Sequence, residues 1–180
     1  MLFRSSFALA LAARRPDYSA AELQSLVRAW REHTPRLALF PDAERLLAGL
    51  AGRRLGLITD GQPAIQRGKV EALALGPRFH TIVYTGALAP ERAFHKPHPK
   101  SYELMEAALG QPGDRFVYVG DNPSKDFVTP NARGWTSIMI VRPDHAEQRI
   151  HKAAPTAEGG APQMTIASLD ELPVRLEIAL

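Results

Sequence analysis

The chain contains no cysteine, which excludes disulfide staples, thiolate nucleophiles and zinc or iron–sulfur ligation through sulfur. A cytoplasmic setting fits that composition best. No apolar stretch approaches the roughly 18 residues needed to span a bilayer, so no membrane partner is expected. An excess of one charge sign is also lacking: 22 Lys and Arg stand against 19 Asp and Glu, and no basic block is longer than a pair. A nucleic-acid partner is therefore not expected. Gly-x-Ser-x-Gly elbows, Walker loops and dinucleotide Gly-x-Gly-x-x-Gly turns are absent, and His80, His95, His98 and His145 share no i, i+4 metal-binding spacing. What remains is a 180-residue chain, 45% hydrophobic and 23% charged, which is enough for one sizeable core without staples or metals.

Residues up to about Leu50 read as helices only. The apolar run Phe7–Ala13 after Arg4 imitates a signal peptide, but it lies at the lower limit of such a segment and Arg14-Arg15-Pro16 closes it, so a plain amphipathic helix is expected. Ser19-Ala20-Ala21-Glu22 is a capping box. Leu23, Leu26, Val27 and Trp30 follow at i, i+3, i+4, i+7, one apolar helix stripe that Pro35 ends. Pro41 opens a further helix carrying Leu46, Leu47 and Leu50.

From Arg54 the pattern changes. Short runs rich in β-branched and aromatic residues, Leu55–Ile58, Thr81–Tyr84, Phe116–Val119 and Ser137–Val141, alternate with helical stretches Pro63–Leu75, Pro99–Leu109 and Lys125–Ala132. This βαβα order predicts an α/β fold with a parallel sheet and helices on both faces. Met164–Ile166 adds a short strand, Ser168–Glu171 is a second capping box opening a C-terminal helix, and Ala153–Pro162 reads as a surface loop.

Ligands of open parallel sheets bind beyond the carboxyl ends of the strands. There the sequence places Thr59-Asp60-Gly61, then His95-Lys96-Pro97-His98-Pro99, then Gly120-Asp121-Asn122-Pro123-Ser124-Lys125-Asp126. A hydroxyl with backbone amides holds phosphate oxygens, a lysine offsets their charge, and paired acids hold a hard cation such as Mg²⁺. Singly, each has a plain structural reading: Thr59 as a turn residue, Lys96 in a stiff proline loop, Asp121 in an ordinary turn, Asp126 as a helix cap. Their order after successive strands points to one shared site.

These motifs resemble the haloacid dehalogenase-like (HAD) hydrolase superfamily, small phosphatase branch. Thr59 is similar to its second motif, Lys96 to its third, and Gly120, Asp121 and Asp126 to its acidic fourth; Phe40-Pro41-Asp42 resembles the return from a helical cap to a Rossmann-like core. The resemblance implies residues 1–38 as cap segment and 39–180 as core. It also implies a Mg²⁺-dependent hydrolase of a small phosphorylated metabolite. In that reading Thr59, Asp60, Gly61 and Lys96 would meet phosphate, Asp121 the metal, and Lys96 and Asp126 would serve catalysis. A carbon–halide hydrolase and a non-catalytic phosphate-binding or regulatory domain are the rivals. A receiver domain fits less well, because its acids precede the Thr and Lys in chain order.

The superfamily's first motif, a strand followed by Asp-x-Asp-x-Thr, has no match: Asp17, Asp42 and Asp60 are the aspartates before residue 114, and none follows an apolar strand with a second Asp two residues on. The expectation is a chain that begins inside the cap, through a misplaced start or truncation, and that is inactive as written. By resemblance, the missing strand is central, between those ending at Thr59 and Asp121. Two facing edges would then lack partners, so the chain should close the gap, borrow a strand from a second copy or another donor, or be marginal.

Overall fold

Chain order alone sets the architecture: three helices come first, then strands and helices alternate. The structure, a computed structural model, describes residues 2–32, 36–110, 114–143 and 156–177, without the side chains of 2–7 and 30–32. Pro35, His145, the Trp30 side chain and the 153–155 end of the expected surface loop fall outside that set. Helices α1 (Leu2–Arg14) and α2 (Ala20–Glu32) pack together, and α2 reaches the Pro63–Ala72 helix of the core. The first capping box forms: the Glu22 amide donates to Ser19 Oγ at 3.2 Å while the Ser19 amide donates to Glu22 Oε2 at 2.8 Å. No helix among the described residues is long and apolar enough to cross a membrane.

Helix α3 (Pro41–Gly49) starts on its proline, which needs no amide partner at that position. The core then runs β1 (Gly56–Thr59), α4 (Pro63–Ala72), β2 (Thr81–Tyr84), α5 (Lys100–Leu109), β3 (Val117–Gly120), α6 (Val128–Ala132), β4 (Thr136–Ile140), β5 (Met164–Ile166) and α7 (Leu172–Arg175). Helix α6 begins three residues later than its sequence pattern suggests. The Asp126 carboxylate accepts the Asp121 and Asn122 amides at 3.1 and 2.9 Å and holds residues 121–126 as a turn. The second capping box opens a short 3-10 turn at Leu169–Glu171, with α7 directly behind it.

All strand pairs are parallel, but they form two sheets, β1-β2 and β3-β4-β5. Among the described residues no ladder joins β1 to β3. The two strands nevertheless face each other across a cavity of about 660 Å³. Two ion pairs bracket it. At one end Arg54, just before β1, meets Asp114, just before β3, at 2.6 Å; at the other Asp60, just after β1, meets Lys125, beyond β3, at 2.8 Å. Starts lie beside starts and ends beside ends, so β1 and β3 run in the same direction.

Two apolar clusters hold the sheets on opposite faces. One joins Val83, Tyr102, Met105, Leu109 and Trp135, with Ile58 and Tyr118 packed against it; the other joins Ile138, Ile166 and Leu172, with Leu46 and Val119 against it. Gly56 lets α5 pack closely on β1, because a Cβ there would meet the ends of the Met105 and Leu109 side chains and force them to shift. The facing edges of β1 and β3 are therefore not joined to each other among the described residues.

Candidate active site

The carboxyl ends of β1, β2 and β3 bring the expected residues together. Lys96 Nζ lies 2.8 Å from Asp126 Oδ1 and donates to the Tyr118 hydroxyl at 3.0 Å. This is an interior pair: the side chains are 10% and 2% exposed, respectively. Burial opposes the lysine's charge, but Asp126 and the more distant Asp60 outweigh it and hold its pKa above the usual lysine value. The second Asp126 oxygen is taken by the two turn amides, so this acid positions both the lysine and the loop carrying Asp121. Gly120 is needed at the strand end, where a Cβ would come within 2.8 Å of that carboxylate.

Asp60 is the second node. Its Oδ1 accepts the Thr85 hydroxyl at 2.8 Å and the Lys96 amide at 3.2 Å, and its Oδ2 meets Lys125 Nζ at 2.8 Å. Burial pushes its pKa up, but the Lys125 hydrogen bond, the Lys96 charge and the Thr85 hydroxyl together bring it below the usual carboxylate value. Thr59 Oγ1 donates to Gln66 Oε1 at 2.9 Å, at the mouth of α4. Gly61 comes next but one with φ 127°, a left-handed backbone that suits glycine.

Three participants escaped the sequence reading. Thr85 stands directly after β2, so the same strand-end rule that selected Thr59 finds it. Lys125 lies inside the quoted Gly120–Asp126 turn, but its partner Asp60 is 65 residues away. Tyr118 reads as a strand residue, and nothing local announces that its hydroxyl meets Lys96.

The Mg²⁺ implied by the resemblance can be tested against these donors. Both oxygens of Asp60 and of Asp126 are engaged by cations, amides or hydroxyls, so Asp121 is the remaining carboxylate at the rim, and it too has an interaction partner. Among the described residues no group of three His, Asp or Glu could hold a metal ion. Mg²⁺ asks for near-octahedral oxygen donors, commonly one or two carboxylates with waters and phosphate oxygens. One carboxylate beside two ammonium groups does not make that site, and no chemical step is derived through a metal.

Parallel strands, crossover helices and an ionic cluster at the strand carboxyl ends define an α/β protein of the Rossmann-like kind. The chain belongs to the haloacid dehalogenase-like hydrolase family, whose model matches residues 7–128, and a second HAD hydrolase-like model matches residues 93–172. It is 30% identical over 129 residues to a phosphoserine phosphatase of Thermus thermophilus, covering 69% of this chain and 50% of that protein. It is 32% identical over 107 residues to an (S)-2-haloacid dehalogenase of Xanthobacter autotrophicus, covering 59% and 38%. The chain thus spans half or less of the length of these two relatives. In fold it resembles the L-2-haloacid dehalogenase of Xanthobacter autotrophicus, with a TM-score of 0.65 and 23% identity over 98% of this chain and 75% of that one.

Proposed function

We propose that this chain carries the phosphate-handling side of a HAD-type phosphohydrolase for a small phosphorylated metabolite, and that by itself it does not turn substrate over. The observation that carries the reading is the convergence of Thr59, Asp60, Lys96, Asp121 and Asp126 at the ends of β1 and β3, with Lys96 held charged in a nearly buried position. Thr59 with the Gly61 turn amides meets phosphoryl oxygens, Lys96 offsets their charge, and Asp126 keeps Lys96 and the Asp121 loop in place. Covalent catalysis needs a nucleophilic carboxylate at the centre of this rim. Asp60 and Asp126 are each locked against an ammonium group and are poor candidates for that step.

The phosphatase and dehalogenase relatives define the two chemistries to test, and the lysine favours the first because a phosphate dianion asks for a permanent cation. Incubation with p-nitrophenyl phosphate and Mg²⁺ is expected to release no nitrophenol above the protein-free rate, and incubation with 2-chloropropionate no chloride. Phosphate turnover abolished by Asp121→Asn would show that the chain is a complete enzyme. Chloride release would favour the halide reading.

A further inference from the structure

The three N–H bonds of a lysine ammonium point to corners of a tetrahedron, so fixing two of them fixes the third. Charge fixes the first in Lys96, whose Nζ lies 2.8 Å from Asp126 Oδ1. That contact alone would let the group spin about the line joining the two atoms. The Tyr118 hydroxyl, which accepts a second N–H at 3.0 Å, stops the rotation. These are the two acceptors that the described residues give Lys96 Nζ. One N–H is left, pointing away from both.

Tyr118 is itself held. Its hydroxyl shares a hydrogen bond with that of Tyr102, and Tyr102 donates to the Asp126 carbonyl at 3.4 Å. An ammonium can only donate, and this sets the direction of the whole chain. Tyr118 accepts from Lys96, gives its one proton to the Tyr102 oxygen, and Tyr102 gives its own to the carbonyl. The donors Lys96, Tyr118 and Tyr102 thus run in series and close on Asp126, the residue that holds the ammonium from its other side. Burial above all keeps both phenols protonated, with pKa values above the usual tyrosine value. The rings are confined as well: Tyr102 stands 5.5 Å from Tyr118 and 5.6 Å from Trp135, and Phe127 meets Tyr118 edge-on at 6.5 Å, centroid to centroid. A second carboxylate in place of Tyr118 would orient the ammonium and cancel its charge. A phenol orients it and leaves the charge in place, and donating onward makes its oxygen the better acceptor.

We infer that Tyr118 is a positioning residue for Lys96: backed by Tyr102, its hydroxyl takes the second ammonium N–H and so aims the third at the strand-end rim, where an anionic oxygen would accept it. The inference rests on the function proposed above, in which Lys96 meets a phosphoryl oxygen. It adds that the direction of that contact is set from a strand residue behind the lysine and not by Asp126 alone.

The test uses the full 180-residue chain with ¹⁵N in the lysine side chains, and inorganic phosphate as the probe. The Lys96 ammonium should give a slowly exchanging NMR signal, assigned by its absence from Lys96→Arg. In Tyr118→Phe, which keeps the ring and removes the acceptor, that signal should shift and its protons should exchange at least about threefold faster. Tyr102→Phe leaves the Lys96–Tyr118 bond in place and should move the same signal less. Phosphate affinity, read by calorimetry, should fall by roughly threefold to tenfold in Tyr118→Phe and by less than about twofold in Tyr102→Phe. A Lys96 signal indifferent to Tyr118→Phe, a larger effect from Tyr102→Phe than from Tyr118→Phe, or equal phosphate affinity in the parent chain and Tyr118→Phe would each overturn the inference. Phosphate bound by none of these proteins would overturn the phosphate reading instead, and the ammonium signals would still decide whether Tyr118 positions Lys96.

Discussion

Asp42 joins parts of the chain that are more than a hundred residues apart, and its removal has a calculable effect. Its Oδ2 accepts from Arg142 at 2.6 Å, the Leu169 amide at 2.9 Å and Ser168 Oγ at 3.1 Å, while Oδ1 accepts the Ala43 amide at 2.8 Å. One carboxylate thus ties α3 to the segment after β4 and to the turn before α7. Burial pushes its pKa up, but Arg142 and the Leu169 amide win and lower it from 3.8 to about 2. At 1.36 kcal/mol per pKa unit, that depression is worth about 2 kcal/mol of folding free energy. The sign follows from the depressed folded value: the stabilisation is complete above the unfolded pKa near 3.8 and is lost as pH falls through about 2. Asp42→Asn should therefore cost about 2 kcal/mol or slightly more at pH 7, because Arg142 also loses its counter-ion, and under about 1 kcal/mol at pH 2. Urea unfolding of both proteins at pH 7, 5, 3 and 2 measures the difference. A gap that stays constant across that range, or stays below about 0.5 kcal/mol at pH 7, would refute the reasoning.

Other perturbations follow from the rim. Lys96→Met leaves Asp126 buried without its cation and should destabilise by about 3 kcal/mol, but by only about 1 kcal/mol when Asp126 is already Asn; equal losses in the two backgrounds, measured by denaturant melts, would show that the pair is not coupled. Thr85 is fully buried and donates to Asp60, so the isosteric Thr85→Val should cost about 1 kcal/mol or more. An unchanged urea midpoint for that variant would remove Asp60 as a satisfied node.

Much of this arrangement is legible locally. Serine and glutamate three residues apart announce both capping boxes, and short β-branched runs locate the five strands among the described residues to within a residue. Thr59, Lys96, Asp121 and Asp126 are found from the polar residues that come after each apolar run. What escapes is set by distance along the chain. The Asp60–Lys125 and Asp42–Arg142 pairs span 65 and 100 residues, and no periodicity connects such partners. The same limit hides the burial of Lys96: a rim lysine is expected to contribute charge and not packing, yet the fold closes Asp126 and Tyr118 around it. The separation of β1 from β3, by contrast, is an expectation that the resemblance carries, since no apolar run of the sequence ends in two aspartates two residues apart.

Hydrogen exchange on the free chain tests the split sheet most directly. The arrangement predicts that the Gly56, Ile58, Val117 and Val119 amides, which face the cavity, exchange much faster than the Leu57 and Tyr118 amides of the same strands, which face β2 and β4. These directions follow from the Leu55 and Phe116 carbonyls, which accept from His80 and Thr136, since peptide groups of successive strand residues point to alternate edges. A monodisperse monomer in which all six amides are equally and strongly protected would contradict the account, because β1 and β3 would then have to be paired across the gap.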